Sequence, residues 1–159
     1  MSRRDQIRMT DEEVLAFLDA ERTVVCATNG RRGWPHLMPL WYVVRRADDD
    51  DGGRPELWAW TFAKSQKTRN LERDARATLQ VEAGEDYDQL RGVMFECDVV
   101  VHRDVDTIRA LALELFARYG GVNDDVRAMI DAQAPKRVAL QFVERSRATW
   151  DHRKLAGTY

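Results

Sequence analysis

Lysine is the scarcest charged residue in this chain, with only Lys64, Lys67, Lys136 and Lys154 against 21 arginines, and two of those four flank Ser65. Cysteine is scarcer still. Cys26 and Cys97 each sit in an apolar, strand-like run, and without an export signal they read as buried thiols rather than a disulfide. No Cys-x-x-Cys or His-x-x-x-His spacing occurs, so no metal site is expected. No apolar run approaches the roughly 18 residues of a membrane span, and no charged-then-apolar leader opens the chain, so the expectation is a cytoplasmic protein without a membrane partner. Net charge is also small. At −2, with acids and bases dispersed, the chain lacks the basic balance of a general nucleic-acid binder. Nor is there a repeat, linker or low-complexity tract, so 159 residues with 44% hydrophobic content read as one domain, 1–159, with its core over about 9–154.

What is present centres on Trp58 to Asp74. Leu57 to Phe62 alternates a Leu/Ala/Thr face with a Trp/Trp/Phe face, the period of a strand. Ser65 then offers an N-cap, and the first-turn amides of the following helix have no partner within the segment. Lys64, Lys67 and Arg69 surround those amides with positive charge, which suits a phosphate or other anion at a helix start. The same residues also fit a capped surface helix with solvated cations.

Around this stretch the periodicity changes repeatedly. Thr10 to Glu13 forms a capping box with a Met9/Val14 staple, opening a helix whose apolar face is Val14, Leu15, Phe17 and Leu18. Strand patterns follow at Thr23–Thr28 and Trp34–Val44, separated by the Asn29–Gly33 turn, and the second carries Pro35 and Pro39, which place it at an edge. Ala47–Pro55 reads as a solvated acidic loop. Two further strands, Ala75–Glu82 and Gly92–His102, precede helices at Asp104–Tyr119 and Asp124 to about Ala134, and a last strand spans Lys136–Thr149. Six strands with hairpins and helices at the edges, and no regular βαβ alternation, predict an α+β fold: a mostly antiparallel six-stranded barrel with flanking helices.

The runs Gly33-Trp-Pro-His36-Leu-Met-Pro39, Lys67-Thr-Arg-Asn70-Leu-Glu-Arg-Asp74 and Arg91-Gly92-Val93 resemble the split β-barrel flavin and deazaflavin oxidoreductases of the pyridoxamine 5′-phosphate oxidase-like superfamily, over about Met9 to Lys154. The Lys-Thr-Arg-Asn-Leu signature is most similar to the branch that uses the deazaflavin coenzyme F420; other branches use FMN. The resemblance implies a homodimer with cofactor sites at the interface, and hydride transfer to a small-molecule acceptor. It implies that Lys67, Ser65, Thr68 and Lys64 hold the cofactor phosphate. Ala59, Trp60 and Thr61 would lie along the ring, and His36, Met38 and Pro39 would wall its other side. His36 is the candidate proton donor, because an imidazole exchanges a proton near neutral pH. Arg31 and Arg32 could meet an acidic coenzyme tail or form a solvated turn, and Asn70 reads as structural. Where the oxidase carries an Arg-Leu-x-x-Arg type motif for its substrate, this chain has Trp150-Asp-His-Arg-Lys154, which argues against vitamin B6 oxidation. An FMN-dependent oxidoreductase on the same fold and an F420- or flavin-binding carrier without turnover are the alternatives.

Overall fold

The computed structural model describes residues 2–46 and 54–155, so most of the Ala47–Pro55 loop lies outside the described residues. Seven antiparallel strands form one sheet: β1 (Val24–Asn29), β2 (Pro35–Leu40), β3 (Val43–Arg46), β4 (Pro55–Phe62), β5 (Arg76–Ala83), β6 (Arg91–His102) and β7 (Arg137–Asp151). Their spatial order is β2-β1-β5-β6-β7-β4-β3. Five helices accompany them, α1 (Arg3–Gln6), α2 (Asp11–Ala20), α3 (Gln66–Arg73), α4 (Val105–Tyr119) and α5 (Asp124–Gln133). The fold is α+β, as expected.

The strand count is corrected from six to seven. The run Trp34–Val44 is not one strand but two, β2 and β3, broken at Trp41 and Tyr42 and placed at opposite ends of the strand order. Because two residues join the two ends of the order, the sheet must curl into a barrel with a seam. Pro35 and Pro39 lack N–H donors, and β2 accordingly pairs only with β1. Tyr42 supplies the pull at the break. It is fully buried, its hydroxyl donates to the Leu18 carbonyl at 2.7 Å, and its backbone N–H and C=O both meet the Tyr119 hydroxyl, at 3.0 and 2.9 Å.

The barrel interior takes the alternating residues expected from the sequence: Ala77, Leu79 and Val81 from β5, Val93, Phe95, Cys97 and Val99 from β6, and Val138, Leu140 and Phe142 from β7. Helix α2 closes one end. Its Thr10–Glu13 capping box is in place, with the Glu13 amide donating to Thr10 Oγ1 at 3.2 Å and the Thr10 amide to Glu13 Oε2 at 2.7 Å. A cap contributes about 1 kcal/mol. Burial of Val14, Phe17 and Leu18 contributes roughly 1.5–3 kcal/mol each, so packing rather than capping fixes the helix. Helix α4 lies outside the barrel, where Ile108, Leu111 and Leu115 cover Val43, Trp58 and Ala139.

One irregularity shapes the ladder. Between β6 and β7 the pairing runs Glu96↔Ser146 and then Cys97↔Glu144, so Arg145 is an extra residue on β7.

Candidate functional site

The seam leaves one backbone edge open. Strand β4 is paired with β3 only as far as Val43↔Trp58, while its other side continues along β7 to Phe62↔Arg137. The Ala63 amide donates to Lys136 O at 3.0 Å, and the Phe62 carbonyl accepts from the Ser65 amide at 3.0 Å, which fixes the alternation. Residues of odd number turn their peptide groups toward β7, and Trp60 turns its own toward the open side, without a backbone partner among the described residues.

This edge runs directly into the lysine turn. Ser65 caps α3, its hydroxyl accepting from the Thr68 amide at 3.3 Å, and the Gln66 and Lys67 amides have no acceptor among the described residues. Positive charge and unpaired N–H groups thus converge at a helix start. The lysines divide. Lys64 is exposed, whereas Lys67 is 7% exposed, and its ammonium lies beneath the turn and donates to Thr61 Oγ1 at 3.0 Å. Burial holds the Lys67 ammonium below its ordinary range, and the Arg137 charge adds to that shift. Thr68 is fully buried, and its hydroxyl donates to the Phe62 carbonyl at 3.1 Å. The turn therefore offers backbone amides, Ser65 and Lys64 at its surface, with Lys67 charged below them and the Thr68 hydroxyl committed to the turn itself.

Strand β2, which pairs with β1 and not with β4, lines a cavity that reaches α3 but not the Trp60 edge. His36 is half-buried, and its Nδ1 is buried without a hydrogen-bond partner among the described residues. A cavity of about 430 Å³ brings His36 together with Gln66 and Asn70 of α3 and with Arg31, Arg32 and Trp34 of the hairpin tip. Met38 and Pro39 are exposed and do not line it. Ala59 is fully buried in the barrel core and its peptide group turns toward β7, so it lies beside the open edge without facing it. Asn70 is a brace, with Nδ2 donating to Thr28 Oγ1 at 3.0 Å and Oδ1 accepting from Gln66 at 2.9 Å. His102 stacks on Trp58 at 5.0 Å, and His152 is tied to the Tyr87 and Leu90 carbonyls. A larger recess of about 550 Å³ lies between Ala27, Thr78, Glu96, Asp98 and Arg145. Its polar side chains are already engaged: Arg145 pairs with Asp98, Arg76 with Asp74, and Glu96 accepts from Ser146. The lysine turn and its seam are chemically the better site.

Sequence reasoning missed one residue here. Arg137 opens β7 opposite Phe62, and its guanidinium lies 4.4 Å from the Trp60 ring centroid and 3.6 Å from that of Phe62. The signal was present but faint, an arginine beginning a strand whose partner strand ends in Trp-x-Phe.

The family model for pyridoxamine 5′-phosphate oxidase matches residues 10–152. The chain belongs to the pyridoxamine 5′-phosphate oxidase family. Among solved structures, a conserved hypothetical protein from Mycobacterium tuberculosis resembles this family member at 37% identity and TM-score 0.85, over 100% of this chain and 95% of that one. An F420 reductase shares 20% identity and TM-score 0.62, over 84% of this chain and 94% of that one. A FAD-binding protein from Mesorhizobium loti shares 14% identity and TM-score 0.60, over 89% and 94%. The last two likenesses speak to the fold alone. No curated protein sequence matches the chain. No helix among the described residues is long and apolar enough to cross a membrane.

Proposed function

We propose that this family member is an F420-dependent oxidoreductase acting on a small-molecule acceptor, in the cytoplasm. The observation that carries the reading is the continuity of two features: the open β4 edge at Trp60 leads without interruption into the unpaired amides and paired lysines of the Ser65 turn. A tricyclic ring with a phosphate tether needs such a pair, a hydrogen-bonding edge beside an anion seat. Ser65, Lys64 and the Gln66 and Lys67 amides would hold the phosphate, and Lys67 would neutralise it from below. The Trp60 peptide would meet the ring's polar edge, with Ala59 and Thr61 fixing that strand. His36, with its orphaned Nδ1, would be the group able to exchange a proton at the ring, and Met38 and Pro39, outside its cavity, would meet the ring only beyond it. The deazaflavin would itself supply the hydride chemistry, which accounts for a site with no nucleophile or triad.

The same reading makes the protein a homodimer. On edge strand β2 Leu37 is 57% exposed and Met38 41%, one on each face, and Trp34 just before it is 76% exposed, an apolar edge that a second copy would cover.

Titration of apo-protein with F420 and with FMN, followed by tryptophan fluorescence, tests the reading. F420 is expected to bind more tightly and to resist displacement by FMN. FMN that copurifies and is not displaced by F420 would transfer the site to a flavin enzyme on the same barrel. Oxidation of reduced F420 above background by any acceptor in a panel separates a catalyst from a carrier.

A further inference from the structure

We propose that Arg137 anchors a carboxylate on a flat acceptor substrate, at a subsite separate from the phosphate seat. The inference rests on the deazaflavin reading for the word substrate, but the anion site itself does not.

Arg137 stands apart from the other arginines stacked on rings. Arg22, Arg45, Arg91, Arg118 and Arg147 each lie over an aromatic ring, and each also reaches an acceptor in the chain: Arg118 O, Glu114, Glu21, Asp19 and Glu144 respectively. Arg137 has the rings alone. Its Nε is buried without a partner, and no carboxylate among the described residues offsets its charge. Burial consequently holds its basicity below the ordinary arginine value, with no counter-charge acting the other way. Its charge also acts on another cation, Lys67. A half-buried guanidinium without a counter-charge is an arrangement that an anionic ligand would relieve.

Geometry separates this anion from the cofactor phosphate. Along β4, Thr61 points into the barrel and receives the Lys67 ammonium, whereas Trp60 and Phe62 point outward and carry Arg137. The two cations thus serve opposite faces of one strand. The outer face is aromatic: Phe116 meets Trp60 edge-on at 6.1 Å, and Trp41, which is 49% exposed, stacks on Tyr119 at 4.4 Å. A planar fork of donors matches a carboxylate in two-point contact, and the ring walls suit a flat conjugated body.

The probes are trans-cinnamate and its neutral isostere cinnamamide, titrated by calorimetry into the full-length protein with and without F420. Wild-type protein is expected to bind cinnamate at least roughly tenfold more tightly than cinnamamide, the discrimination of a charge-assisted pair. Arg137→Gln should abolish that preference while leaving F420 affinity within about threefold, and Arg137→Lys, which keeps the charge but loses the fork, should retain only part of it. Equal affinity of wild-type protein for acid and amide overturns the proposal, and this arm needs no variant to fold. A parallel loss of cinnamate and F420 in Arg137→Gln also overturns it, by assigning the arginine to the cofactor. If F420 fails to bind wild-type protein while the acid preference persists and depends on Arg137, the deazaflavin reading falls and the anion anchor stands.

Discussion

Replacing Lys67 with Met separates its two possible employments, as a core lysine and as an anion holder. The methionine keeps the buried stem and removes the ammonium, whose charge burial already disfavours, at the cost of one hydrogen bond to Thr61. Apo-protein stability should therefore stay level or rise. Binding should respond in the opposite direction. A charge-assisted contact to a phosphate contributes about 1.5–3 kcal/mol, so a loss of about 2 kcal/mol weakens F420 roughly 30-fold. At a coenzyme concentration of about 100 Kd, bound ligand stabilises the wild type by about 2.7 kcal/mol, and the variant at the same concentration by only about 0.9 kcal/mol. For a chain of this length 1 kcal/mol shifts the melting temperature by about 2–4 °C, so the F420-induced rise should shrink from about 5–11 °C to about 2–4 °C. Thermal unfolding of both proteins with and without coenzyme measures all four values. A variant whose apo-protein melts far lower, yet shows an undiminished coenzyme shift, would refute the argument and make Lys67 a packing residue.

Four further outcomes follow from the geometry. F420 affinity should decline with rising pH as Lys67 loses its proton, at a pKa below its ordinary 10.5, and should not do so in Lys67→Met; fluorescence titrations across the alkaline range read this directly. Between that lowered value and 10.5 the unfolded chain binds the extra proton, so Lys67 contributes rising apo-protein stability over the same window. Burial pushes the Cys26 and Cys97 thiols up to about 12, so neither should react with a disulfide reagent at pH 8 in native protein, and both should after unfolding. Gly92→Ala should cost about 1–3 kcal/mol in denaturant unfolding, because its Cβ would stand 2.4 Å from the Trp150 ring and 2.8 Å from the Val81 carbonyl.

Much of this molecule was legible in its residues, and the illegible parts share a cause. Alternation along β5 and β6 identified the inward side chains correctly, since each strand keeps one parity throughout. The break at Trp41 and Tyr42 was not visible, because the apolar pattern continues across it and the Tyr42 bonds that mark the turn go to distant groups, the carbonyls of Leu18 and Glu21 and the Tyr119 hydroxyl. At the site, Ser65 and its lysines were evident from type and spacing. Which lysine lies inside was not, because that depends on Thr61 meeting Lys67 across a β4–α3 corner that one-dimensional spacing does not describe. Arg137 escaped for a similar reason: its rings belong to a strand 75 positions away, counted from Phe62 to Arg137, and meet it only through the register Phe62↔Arg137.

The extra residue at Arg145 has a consequence for how the chain tolerates length changes. Ahead of it β7 sends even-numbered side chains inward; beyond it the odd-numbered Thr149 takes the Met9 amide, Arg147 meets Asp11, and the Asp151 amide reaches the Ile7 carbonyl. One strand thus lines the interior with its first half and ties down the amino-terminal segment with its second. Excising Arg145 would be a shortening without a phase error: the pairs Cys97↔Glu144 and Glu96↔Ser146 would become consecutive, both halves would keep their faces, and only the local kink and the Arg145–Asp98 ion pair would be lost.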